Sequence, residues 1–141
     1  MSEPKNSATR MELVEAFIPH SPHAAALGIS IASIEPDHAT LEMPFKEELV
    51  TMGDVVHGGA ISTLIDTAAT VAAWATEEVP ETPGGSTVSL SVNFVAAAQA
   101  VDLRAEARIV RRGRRLSSCE IDVTGPDGKL IAHGIATYQL S

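Results

Sequence analysis

The sequence predicts an α+β fold in which a long central α-helix is wrapped by a five- or six-stranded antiparallel β-sheet. Three observations carry this. After His57-Gly58-Gly59, apolar residues recur at helical spacing as far as about Glu77. Beyond Gly85 the period drops to two over four successive segments. Those segments are parted by turn-forming residues such as Gly125-Pro126-Asp127-Gly128. An antiparallel sheet needs one face covered, and only the helix after His57 is long enough to cover it.

A chain of 141 residues fits one core, so residues 11–141 are expected to form a single domain behind a mobile tail, residues 1–10. In residues 11–27, Leu13, Val14, Phe17 and Ile18 support a short helix that Pro19 and Pro22 interrupt. Residues 28–35 and 39–45 read as a hairpin turned by Pro36-Asp37-His38, and residues 46–56 as an irregular connection. On the long helix, Ile61, Leu64, Ile65, Ala68, Val71 and Ala72 form one apolar stripe. Ser62, Asp66, Ala69 and Ala73 lie on the far side, where small residues imply the close approach of another backbone. A loop over residues 77–85 leads to a strand in which Val88, Leu90, Val92 and Phe94 alternate with Thr87, Ser89, Ser91 and Asn93. Leu103 to Ile109, Cys119 to Val123 and Leu130 to Gln139 mark the last three strands, the first two joined by a turn at Arg112-Gly113-Arg114.

Composition narrows the partners. A formal net charge of −8 argues against a general nucleic-acid binder. There is no apolar run of bilayer-spanning length and no apolar core of a secretory signal near Met1, so a cytoplasmic location is expected. Cys119 is alone, and His20, His23 and His38 have no metal-ligand spacing, so neither disulfide nor metal is expected. Six arginines crowd into Arg104, Arg108, Arg111, Arg112, Arg114 and Arg115. That segment suits either a phosphorylated ligand or a solvated sheet edge.

The chemistry gathers at the helix entry. Gly58 and Gly59 place unpaired backbone N–H groups where negative charge is favoured, and Asp66 follows two turns later with no basic neighbour on its helix. His57-Gly58-Gly59 with Leu64 and Asp66 resembles the motif of PaaI-like acyl-CoA thioesterases of the hotdog fold. The resemblance extends to Leu27-Gly28-Ile29, the strand ending at Phe94, the Arg112-Gly113-Arg114 turn and the segment from Gly134 to Tyr138.

The resemblance implies hydrolysis of an acyl-CoA thioester to a free acid and coenzyme A, which is part of the substrate, with no separate cofactor. It implies that the Gly58 N–H polarises the carbonyl, that Asp66 is general base or nucleophile, and that Thr87 helps place the water. His57 would donate a structural hydrogen bond to the loop. Gly59, Arg111, Gly113 and Arg114 would contact substrate, the arginines at the nucleotide phosphates. Thr51 stands where many relatives carry asparagine, and its hydroxyl would bind water or the carbonyl. Ala96-Ala97-Ala98 replaces a segment that often holds proline.

Spacing adds a constraint. Eight residues separate Gly58 from Asp66, roughly 12 Å along a helix, whereas reacting groups must meet within about 3–4 Å. Asp66 must then come from a second subunit, which implies a dimer or tetramer with composite sites. Two other functions remain open. A hydroxyacyl-thioester dehydratase would require His57, and a regulatory protein would bind acyl-CoA without turnover.

Overall fold

The computed structural model describes residues 7–141. Residues 1–6 of the expected tail lie outside the described residues. Thr9 instead caps a helix: its side chain accepts from the Glu12 N–H while Glu12 reaches back to the Thr9 N–H. Helix α1 (Arg10–Phe17) follows, and after a 3-10 turn at Ile18–His20 comes α2 (Pro22–Leu27). The two prolines thus divide the expected helix in two. Gly28 ends α2 at φ +76, a left-handed conformation that suits glycine.

Strands β1 (Ser30–Glu35) and β2 (His38–Met43) make the expected hairpin. The connection expected to be irregular contains a 3-10 turn and a small hairpin, β3 (Val50–Met52) with β4 (Val55–Val56). The long helix α3 (Gly58–Trp74) stops short of Glu77, because Ala75 leaves helical geometry at φ −79, ψ 68. Strands β5 (Gly85–Phe94), β6 (Leu103–Arg112), β7 (Leu116–Thr124) and β8 (Leu130–Leu140) complete a six-stranded antiparallel sheet. Its order is β1-β2-β6-β7-β8-β5, which leaves β5 at an edge.

Helix α3 lies across the inner face of this sheet and touches β2, β6, β7, β8 and β5. Cross-strand neighbours explain how it seats. Ala39 pairs with Ala107, Ala107 with Ile121, and Ile121 with Gly134, so one lane of the sheet is lined mainly by small side chains. A Cβ on Gly134 would stand 2.7 Å from the Ile65 side chain, so the helix occupies the space that glycine leaves. Leu64, Ile65, Ala68, Val71 and Ala72 are fully buried, as the apolar stripe requires. On the far side of the helix, the close neighbour expected beside the small residues is, for Ala73, strand β8 of the same chain. Ala69 and Ala73 are fully buried within the single chain, and Ala73 packs with Tyr138 and Leu140 of β8. No helix among the described residues is long and apolar enough to cross a membrane.

Candidate active site

The helix entry is built by His57. Its backbone is extended at φ −60, ψ 135, and its carbonyl accepts from Ala60 and Ile61. Its ring was expected to donate to the loop; instead Nδ1 accepts the Gly59 N–H at 2.7 Å. This corrects the direction of the bond, and the neutral ring then carries its proton on Nε2. The contact also explains Gly59, since a Cβ there would stand 2.8 Å from Nδ1. The Gly59 amide is committed to this cap, and Gly59 does not line the groove beside Gly58. The Gly58 N–H is spared: as the first helical residue it has no intrahelical acceptor, and no other described residue accepts it. Gly58 lines a groove of about 410 Å³ with Thr51, Ile61, Phe94 and Ala96 to Ala98. The Phe94 ring lies 3.3 Å from where a Cβ on Gly58 would be.

Asp66 lies farther along α3 and does not line that groove. Thr87 donates from Oγ1 to Asp66 Oδ1 at 2.6 Å. Strict alternation along β5 would turn Thr87 away from the helix with Ser89 and Ser91. The register shifts instead between Thr87, opposite Tyr138, and Ser89, opposite Thr137, with Val88 as the extra residue. That bulge turns Thr87 inward. No cation pairs with Asp66 among the described ion pairs. Thr70, one turn on, donates to the Asp66 carbonyl at 3.0 Å. Beyond it, Trp74 Nε1 donates to the Tyr138 hydroxyl at 2.9 Å. Burial pushes the Tyr138 phenol above its usual pKa, and the Asp66 carboxylate adds to the rise.

The arginines divide by what they touch. Arg112 donates to the carbonyls of Ala73 at 3.0 Å and Ala72 at 3.2 Å, and to Asp37 at 2.7 Å. It therefore closes the C-terminus of α3, where a cation is favoured. Gly113 serves the turn: its N–H donates to the Leu116 carbonyl at 2.9 Å, and a Cβ would lie 2.2 Å from that oxygen. Arg111 is exposed. Arg114 and Arg115 line a surface cavity of about 600 Å³ with Arg10 and Glu78. Arg10 had been placed in the tail, yet it is buried, with Nη1 on Glu78 at 3.2 Å and Nη2 on the Ser141 carbonyl at 2.8 Å. The capping box formed by Thr9 and Glu12 signals that Arg10 opens a helix, and it does not signal these partners. Among the described residues no His, Cys, Asp and Glu cluster has metal-binding geometry.

The chain thus brings together Gly58 with Thr51, and separately Asp66 with Thr87. It does not bring the first pair to the second.

Comparison with known proteins sets this geometry beside relatives. The model of the thioesterase superfamily matches residues 53–132, which span the helix entry, Asp66 and Thr87. Human acyl-coenzyme A thioesterase 13 is 30% identical over 132 residues, covering 92% of each chain. A thioesterase family protein from Silicibacter pomeroyi superimposes with a TM-score of 0.85 at 28% identity, over 93% of this chain and 97% of that one. Zebra fish thioesterase superfamily member 2 does so with a TM-score of 0.80 at 28% identity, over 96% and 100%.

Proposed function

Because the chain belongs to the thioesterase superfamily, we propose that it hydrolyses an acyl-CoA thioester to a free carboxylic acid and coenzyme A. Its hotdog fold is the one that the sequence led us to expect. The observation that carries the proposal is the Thr87–Asp66 hydrogen bond, which holds a carboxylate without a cationic partner beside the core helix. In the proposed reaction the thioester carbonyl accepts from the Gly58 N–H, where the helix terminus favours the developing oxyanion. Asp66 of a second subunit then takes a proton from the attacking water. In the alternative route it attacks the carbonyl itself to give a mixed anhydride, which water opens. Either route breaks the carbon–sulfur bond, and the thiolate leaves with a proton.

Self-association is part of this proposal. Edge strand β5 leaves Val88, Leu90 and Phe94 exposed, and Val95 follows them. An apolar open edge favours pairing with a second copy. Arg111 and Arg114 are proposed contacts for the nucleotide phosphates, with Arg112 committed to its helix. Thr51 lines the Gly58 groove and is proposed to place water or the carbonyl. A dehydratase would need His57 for proton transfer, and with Nδ1 occupied by the Gly59 cap that transfer would have to run through Nε2.

The test is thiol release from acyl-CoA substrates by wild type and Asp66→Ala. Wild type should turn over at least one of them, and Asp66→Ala should lose turnover while keeping its melting temperature. Unchanged turnover in that variant would sink the assignment.

A further inference from the structure

Toward the end of α3, beyond Asp66, lies a cleft that the proposed chemistry leaves unassigned. It has a volume of about 440 Å³, and its walls include Leu13 and Phe17 of α1, Thr70 and Trp74 of α3, Gly85 of β5 and Tyr138 of β8. No charged side chain lines it. Three of these residues tie it to the carboxylate. Thr70 bonds to the Asp66 backbone, Tyr138 sits opposite Thr87 in the β5–β8 ladder, and Gly85 starts the strand that carries Thr87.

We propose that this cleft is the acyl subsite and that it takes an unbranched aliphatic acyl group of roughly eight to ten carbons. The proposal rests on the reading of Asp66 as the hydrolytic carboxylate.

Chemistry and length support it. The polar atoms of the cleft are satisfied among themselves, since the indole N–H donates to the phenol oxygen. A phenol is already neutral at physiological pH, and burial pushes that of Tyr138 further above its usual pKa. A Cβ on Gly85 would stand 2.7 Å from the Tyr138 ring, so this glycine lets the ring lie close against the strand. The surface offered is therefore apolar and uncharged, which fits an alkyl chain and not a phosphate or a carboxylate. Asp66, Thr70 and Trp74 follow one another on the same helix face. From Asp66 to Trp74 is eight residues, about 12 Å of helix. An extended alkyl chain advances about 1.25 Å per carbon, the projection of a C–C bond of roughly 1.5 Å, so eight to ten carbons reach Trp74. A two-carbon acyl group would leave the cleft unfilled.

The experiment measures kcat/KM for straight-chain acyl-CoAs from two to sixteen carbons, with wild type, Phe17→Ala and Leu13→Ala. Both substitutions remove cleft wall from partly or fully exposed positions. For wild type, kcat/KM should rise about two- to fourfold per methylene, the worth of burying one CH₂, and level off near eight to ten carbons. Phe17→Ala and Leu13→Ala should each cost about five- to tenfold on the ten-carbon substrate and less than twofold on acetyl-CoA. A profile that is flat, or that peaks at four carbons or fewer, overturns the subsite. So does an equal loss on acetyl and ten-carbon substrates, which would place the pantetheine arm in the cleft. Absence of turnover on every acyl-CoA overturns the hydrolase reading, and the acyl subsite with it.

Discussion

Complementation between two inactive variants tests the composite site directly. The perturbations are Gly58→Pro and Asp66→Ala. Gly58 is the first residue of α3, the helical position where proline is best tolerated, and proline removes only the N–H in question. The preceding residue, His57, is already extended at ψ 135, as a residue before proline must be. The new ring carbon would meet the Phe94 ring at 3.3 Å, and Phe94 is an exposed side chain with room to shift. Each homodimer then lacks one half of every site. In a mixed dimer the Asp66→Ala subunit supplies Gly58 and the Gly58→Pro subunit supplies Asp66, so one of two sites is whole. Random reassociation of an equal mixture makes half the dimers mixed, which predicts about one quarter of wild-type activity per protomer. The assay is thiol release after unfolding and joint refolding, with tagged subunits to count mixed dimers. Verified mixed dimers without recovered activity would refute the two-chain site and the 12 Å argument behind it.

Three further outcomes are expected. Thr87→Val removes the donor to Asp66 while keeping shape, and should lower kcat about ten- to hundredfold, from a charge-assisted bond worth about 1.5–3 kcal/mol; Thr87→Ser should restore most of it. Steady-state kinetics decide this, and wild-type kcat in Thr87→Val would remove Thr87 from the site. Arg112→Ala uncovers two helix-end carbonyls and Asp37 together, and should cost about 2–3 kcal/mol, a fall of roughly 6–9 °C in melting temperature; a fall under about 2 °C would deny its capping role. The Cys119 thiol is pushed up to about 12 by burial, so it stays protonated through pH 8 and should resist maleimide in the folded protein yet react fully in denaturant. Rapid labelling of folded protein would contradict its burial.

Much of this architecture is legible in the sequence because it depends on period and punctuation. The stripe from Ile61 to Ala72 and the alternation from Leu103 to Ile109 each report one buried face, and the observed core contains them. The helix-entry motif is legible because His57, Gly58 and Gly59 act on one another within three residues. Contacts that join distant segments are not legible. Nothing in the sequence around Arg10 announces that Glu78 and Ser141 will surround it. The burial of Ala73 is equally hidden, because it depends on where β8 ends.

Two bulges account for the residues that alternation misplaces. Along β5, Leu90 and Val92 oppose Ala136 and Gly134 on the inner face, so a regular strand would put Val88 inside and Thr87 outside. Val88 is the extra residue and is exposed, and Thr87 takes the inner position opposite Tyr138. Along β6, Ile109 faces the core opposite Cys119, so regular alternation would next bring Arg111 inward. Val110 is the extra residue there, also exposed, and Arg112 turns inward opposite buried Ser117. In each case one inserted valine exchanges which neighbour faces α3. The first exchange delivers a hydroxyl to Asp66, and the second delivers a guanidinium to the end of the same helix. An exposed valine within an otherwise alternating strand is a poor fit for a regular strand. Its cost is offset by placing a polar group where the helix has an unpaired carboxylate or open carbonyls. The proposed catalytic face of α3 is therefore set by irregularities of the sheet, and period-based reading is blind to those by construction.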